Sequence, residues 1–162
     1  DTGFLSVNYI LDTLCAEGMP ETAYQILYQE KTPSWLYEVK KGATTVWEAW
    51  NAIGEDNMPV ACSMNHYAFG CVGSFLYRRI GGLQIIEPGY RRFRVRPDFS
   101  CGLAGARVSY KSVYGKISVV WKQTADGYEV DMTVPVNTEA EIDLPGIQEV
   151  VGSGKYQYKV KG

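Results

Sequence analysis

The apolar pattern of this chain changes period once, and that change limits the folds open to it. Up to about residue 82, apolar residues recur at helical spacing. From about residue 83 they alternate, as in Arg92-Phe93-Arg94-Val95-Arg96, where the three arginines share one face of a strand. Six more strands are predicted over 105–112, 116–123, 127–134, 138–144, 147–151 and 155–160. Turn signals lie at Pro88-Gly89, Asp126-Gly127 and Gly152-Ser153-Gly154. Short strands at this spacing predict an antiparallel β-sandwich. The chain therefore reads as α+β in two parts, residues 1–82 helical and residues 83–162 all β, with the change-over near 83–90.

The helical part has its own punctuation. A helix is predicted over 3–17, with Gly18 as its left-handed stop and Pro20 as the first residue of a second helix reaching about Lys31. Pro33 breaks the pattern, and Ser34 caps a short helix over 35–40 that Gly42 ends. Thr44 or Thr45 then caps a helix running through Glu48 and Trp50, which would put Glu48 at the capping-box position. Residues 51–62 read as a loop. Asn65 caps a last helix to about Ile80, with Phe69, Val72, Leu76 and Ile80 on one face and Gly70 and Gly73 open to a close neighbour. Four or five helices with such broad apolar coverage do not close a domain by themselves. They look like part of a larger helical array, and their uncovered faces predict self-association through residues 1–82.

Charge and cysteine usage exclude several classes. A net charge of −2 argues against a nucleic-acid binder. No apolar run approaches the ~20 residues needed to span a bilayer. Cys15, Cys62, Cys71 and Cys101 show no CxxC spacing and there is one histidine, so a zinc site is not expected and the four thiols are read as free and buried. No phosphate loop, HExxH or calcium loop is present, so neither cofactor nor metal is implied. The chain opens on Asp1-Thr2-Gly3 with neither a leader nor an initiator methionine, which reads as a cut-out or processed piece.

Two dense stretches carry the candidate chemistry. The first, Gly42-Ala43-Thr44-Thr45-Val46-Trp47-Glu48-Ala49-Trp50, sets one carboxylate between two indoles and behind two hydroxyls. The second, Ser63-Met64-Asn65-His66-Tyr67-Ala68-Phe69-Gly70, holds the single histidine. Indole faces and a carboxylate suit a sugar ring. The residues alone leave two readings of Glu48 open, capping-box partner or catalytic carboxylate. A lone histidine in a helical array is by default structural, and Trp35, Trp47 and Trp50 are by default core.

These stretches, with Thr2-Gly3-Phe4, Pro33-Ser34-Trp35, Pro88-Gly89-Tyr90 and Tyr114-Gly115-Lys116-Ile117, resemble in order the inverting α-L-rhamnosidases of the (α/α)6-barrel type. The resemblance covers nearly the whole chain. It implies that residues 1–82 are the last helices of the barrel and 83–162 the β-sandwich that follows. It makes Glu48 the general base and His66, with Asn65 and Trp47 beside it, the sugar contact. The implied activity is release of terminal α-L-rhamnose from a glycoside or oligosaccharide by single displacement. The family's general acid lies in earlier helices, so the piece alone is expected to be inactive. Ser74-Phe75 departs from the family's Glu-Trp after Gly73. The alternative is a carbohydrate-binding or purely structural β-sandwich module.

Overall fold

The computed structural model describes residues 3–162, so Asp1 and Thr2, the latter part of the Thr2-Gly3-Phe4 stretch, lie outside the described residues. The chain divides into two compact units, Asp1–Phe75 and Leu76–Gly162.

The first unit opens with an αα-hairpin, α1 (Phe4–Ala16) and α2 (Pro20–Leu27). Gly18 sits at φ +77°, and the Gly18 and Met19 amides donate to the Cys15 and Leu14 carbonyls. This is a Schellman stop that a side chain at residue 18 would strain. Val7, Leu11 and Cys15 of α1 and Ala23, Tyr24 and Leu27 of α2 are buried. Helix α2 ends at Leu27, four residues short of expectation, before the bend that leads to the cis Thr32-Pro33 bond. Ser34 caps α3 (Trp35–Lys40), its Oγ accepting from the Tyr37 amide at 3.1 Å. Caps of this kind contribute about 1 kcal/mol.

One predicted helix is absent and another starts late and is irregular. No helix forms over 44–50; residues 46–54 instead run antiparallel to 58–66 as an irregular hairpin. Its rungs are His66 N to Val46 O (2.8 Å), Glu48 N to Ser63 O (3.0 Å), Val60 N to Ala52 O (2.9 Å) and Gly54 N to Met58 O (2.8 Å), with an Ile53–Pro59 bridge. The β-branched Thr44-Thr45-Val46 run disfavours helix, and a partner fifteen to twenty residues downstream supplies the backbone bonds a helix would have made. Asn65 caps nothing either. The last segment starts only at Ala68, as a 3-10 turn (Ala68–Cys71), then α4 (Val72–Phe75), then a π turn (Leu76–Ile80). Among the described residues nothing lies within 4 Å of a Cβ built at Gly70 or Gly73, so the close helix approach expected there is not made by them. Phe75, of the departing Ser74-Phe75 pair, is buried and packs on Tyr24 with ring centroids 6.2 Å apart.

The second unit is built from β1 (Leu83–Ile85), β2 (Arg92–Val95), β3 (Gly105–Ser112), β4 (Gly115–Thr124), β5 (Gly127–Val134), β6 (Glu139–Leu144), β7 (Ile147–Val151) and β8 (Gly154–Lys161). They form two four-stranded sheets, ordered β1-β2-β6-β7 and β3-β4-β5-β8. Every pair is antiparallel except β2–β6, which is parallel. Phe93, Val95, Ile142 and Leu83 from one sheet, and Trp121, Ile117, Val119 and Val130 from the other, are its largest buried side chains. The π turn belongs to this unit, where Trp121 Nε1 donates to Ile80 O at 2.7 Å.

The arginine row lies on the outer face of β2, where the parallel register sets Arg92 opposite Glu139 and Arg94 opposite Glu141. Glu141 takes Arg92 Nη2 at 2.7 Å and Arg94 Nη2 at 2.9 Å, and Arg96 Nη1 meets Asp143 at 3.3 Å. None of the four cysteines forms a disulfide; Cys15 and Cys101 are buried, while Cys62 and Cys71 are only half-buried.

Candidate active site

The two indoles beside Glu48 enter separate interiors. Trp47 (4% exposed) packs with Tyr37 and Ala52, against Ala43, Ile53, Cys62 and Met64. Trp50 (9% exposed) packs with Val7 and Phe69, against Trp35, Val46 and Cys71. Its ring stacks on Phe69 at 3.7 Å between centroids and meets Trp35 edge-on at 5.2 Å. Trp35 is held in turn by its Nε1 donating to Phe69 O at 2.8 Å. All three tryptophans are thus core or near-core, and the ring of Trp47, offered as a sugar contact by the sequence, is enclosed.

Glu48, between them, is half-buried. It grips Ser63 twice: its amide donates to Ser63 O, and its Oε2 accepts from Ser63 N at 2.7 Å. The capping-box role is therefore excluded, since there is no helix terminus for Glu48 to serve. An ionised carboxylate only accepts hydrogen bonds. With Oε2 anchored, Oε1 takes no hydrogen bond among the described residues. One oxygen fixes the group and the other is left without a protein partner among the described residues.

The same hairpin brings His66 into the neighbourhood. Its amide bonds Val46 O, and Thr45 Oγ1 donates to Met64 O, so the two dense stretches lie strand against strand. His66 Nδ1 accepts from the Ala68 amide at 3.3 Å. In the neutral ring this leaves the proton on Nε2, an available donor. The imidazole stacks between Phe4 and Tyr67, each at 5.0 Å and 22°. Tyr67 is 88% exposed, and Asn65 is exposed beside it, its amide and carbonyl both bonded to Ser63 Oγ. Phe4 and Tyr67 were not singled out from sequence as flanking rings. Their place beside His66 depends on α1 meeting the hairpin, which no local pattern shows.

A hollow of about 490 Å³ is lined by Gly3, Thr32, Pro33, Ala49, Trp50, Asn51 and Phe69. It takes the residues that follow Glu48 in the chain, and neither Glu48 nor His66 is among its lining residues. No group of three or more potential metal ligands occurs among the described residues, and no helix among them is long and apolar enough to cross a membrane.

A second carboxyl escaped the sequence reading. Glu38, on α3, is 3% exposed. Its Oε2 accepts from the Trp47 amide at 3.2 Å, and its Oε1 is buried with no hydrogen-bond partner among the described residues. Burial pushes its carboxyl up to about 7, against a smaller opposing pull from the Trp47 N–H. The one signal in the sequence was an acid among Trp35, Leu36, Tyr37 and Val39 in a six-residue helix.

Residues 1–80 match the model of the bacterial alpha-L-rhamnosidase six-hairpin glycosidase domain, and residues 82–159 that of the bacterial alpha-L-rhamnosidase C-terminal domain. An alpha-L-rhamnosidase of Streptomyces avermitilis is 38% identical over 147 residues, which is 89% of this chain and 14% of that protein. One from Alteromonas sp. is 36% identical over 155 residues, 94% of this chain and 17% of that protein. Among solved structures, the S. avermitilis alpha-L-rhamnosidase complexed with L-rhamnose superposes with a TM-score of 0.88 at 34% identity, over 96% of this chain and 17% of that one. The native enzyme from Aspergillus terreus gives 0.91 at 36% identity, over 98% and 19%. The chain thus spans less than a fifth of the length of these relatives. With both domain models matched in succession along an α-then-β chain, the protein belongs to the bacterial alpha-L-rhamnosidase family and carries sequence of its glycosidase domain followed by its C-terminal domain.

Proposed function

We propose that these residues serve a longer polypeptide that releases terminal α-L-rhamnose by single-displacement, inverting hydrolysis, with Glu48 as general base. The observation that carries this reading is the half-anchored carboxylate: Oε2 on the Ser63 amide, Oε1 free, and a tryptophan rooted on either side. In an inverting reaction the base and the acid stand about 6.5–9.5 Å apart, and the base activates a water on the face opposite the leaving group. His66 Nε2 donates to a sugar hydroxyl, and Asn65 adds a second polar contact from the same strip. Trp47 contributes by fixing Glu48 rather than by facing the sugar. The general acid comes from polypeptide outside this chain. Residues 1–82 complete the catalytic barrel and 83–162 form the sandwich, and no cofactor, nucleic acid or membrane takes part.

The test follows the product of the full-length enzyme on an aryl α-L-rhamnoside by proton NMR. The β-anomer forms first, and the isolated 162-residue chain releases no aglycone. An α-anomer formed first would exclude single displacement. Release by the isolated chain that vanished in Glu48→Gln would place the acid within these residues.

A binding role for the sandwich has less support. Arg92, Arg94 and Arg96 are each already opposite a carboxylate, so the row offers no uncommitted cation to a ligand. It is better accounted for as a solvated, ion-paired strand face.

The outer face of α1 supports a contact role for the helical unit. Leu5 is 91% and Tyr9 64% exposed, next to Phe4. Taken alone, the chain self-associates through this face. Sedimentation velocity at rising concentration should show oligomers that Leu5→Lys with Tyr9→Lys returns to monomer. A wild-type chain that stays monomeric throughout counts against it.

A further inference from the structure

Glu38 has no part in the chemistry above, yet it is placed against the segment that presents Glu48. Its two ends hold the two ends of one loop. Its main-chain carbonyl accepts from the Ala43 amide at 3.0 Å, completing the stop of α3 at Gly42 (φ +81°). Its carboxyl accepts from the Trp47 amide at 3.2 Å. Residues 43–47 are thereby closed on a single residue, and Glu48 is next in the chain.

That carboxyl is costly where it stands. It is 3% exposed, and among the described residues no cation pairs with it and Oε1 has no partner. An apolar residue would serve α3 and the surrounding core better. What an apolar residue lacks is an acceptor for the Trp47 amide, which belongs to an irregular segment with no helix or sheet ladder to satisfy it. The opposite edge of the segment is tied to the 63–66 strip, through His66 N to Val46 O and Glu48 N to Ser63 O. Glu38 holds the inner edge.

We propose that Glu38 is a positioning residue for Glu48, clamping the Ala43–Trp47 loop from inside so that the base carboxylate meets its water in one fixed place. This rests on the reading of Glu48 as the base. A group displaced by about 1 Å loses on the order of 10²-fold in rate, so the clamp is expected to appear in kcat and not in KM.

The test compares Glu38→Gln and Glu38→Met in the full-length enzyme, together with amide hydrogen exchange at Trp47 in the same variants. Gln keeps a carbonyl acceptor; Met keeps the volume and removes it. The expected result is a kcat lower by about 10- to 100-fold in Glu38→Met, with KM within about twofold, and recovery to within about threefold of wild type in Glu38→Gln. The Trp47 amide exchanges at least about tenfold faster in the Met variant and stays protected in the Gln variant. Unchanged kcat in a folded Glu38→Met enzyme overturns the proposal, as does a Trp47 amide that stays protected without the carboxyl. If Glu38→Met does not fold, Glu38→Asp, one methylene too short for the bond, replaces it under the same criteria. Failure of the Glu48 reading shows separately, as activity surviving in Glu48→Gln, while the exchange data still decide whether Glu38 holds the loop.

Discussion

With Glu48 as the proposed general base, Glu48→Gln in the full-length enzyme is expected to lower kcat by about 10²–10⁴-fold, the contribution of such a group, and to leave KM within a few-fold. The substitution is conservative where the structure matters. The amide oxygen of glutamine still accepts from the Ser63 amide, the rung from residue 48 N to Ser63 O is untouched, and Trp47 and Trp50 stay in their clusters. What disappears is the basicity of the free oxygen. Loss of rate with an unchanged fold, read by steady-state kinetics beside circular dichroism, ties the chemistry to that oxygen. Rate retained within about threefold would remove Glu48 from the role of base.

The second large effect is on stability against pH, and it belongs to Glu38. Its carboxyl releases its proton near pH 4.5 when the chain is unfolded and near 7 when folded. Between those values the unfolded state binds fewer protons than the folded one, so raising the pH favours unfolding. Stability is therefore highest with respect to this group below about pH 4.5, falls between about 4.5 and 7, and levels off above. A shift of this size corresponds to about 3 kcal/mol over the window. Urea titrations of the isolated chain, followed through amide signals of the helical unit, check it. In Glu38→Gln that slope is flat, because the side chain no longer ionises. A wild-type chain with no loss of stability across the window would show that water or a counter-charge already reaches the carboxyl.

What the sequence made legible was local. The stop at Gly18, the start at Pro20 and the Ser34 cap are set by backbone preferences within a few residues, and each is in place. The strands over 105–112, 127–134 and 147–151 begin and end where alternation and turn residues put them. The failures share a cause of the opposite kind. Residues 44–50 have a capping signal and a helical spacing of apolar residues, but their backbone partners lie on Ser63 and His66. A window of a dozen residues does not contain that competitor. Asn65 fails as a cap for the same reason, because the strip it belongs to is already extended against Val46. The parallel β2–β6 pair is also non-local: strand alternation fixes which face each residue shows but not which neighbour it meets.

The candidate site divides in the same way. Glu48 and His66 were legible as residue types in dense stretches, and the hairpin brings those stretches side by side. Trp47 is enclosed because its ring fills the interior next to Tyr37 and Ala52. Glu38 was invisible because an acid on a short helix is ordinarily at the surface. Only the position of the Trp47 amide gives it a reason to be inside.

The rooting of Trp47 and Trp50 in two different interiors has a mechanical corollary. A side chain on a loop usually gains precision by borrowing the stiffness of one neighbouring element. Here the span of three peptide bonds between the rings resembles a short bridge with a pier in each of two banks. Tilting it would require drawing one indole out of its socket, at the several kcal/mol that emptying such a site demands. Irregular backbone can therefore hold a side chain as steadily as a helix would, provided both ends are sunk in separate foundations.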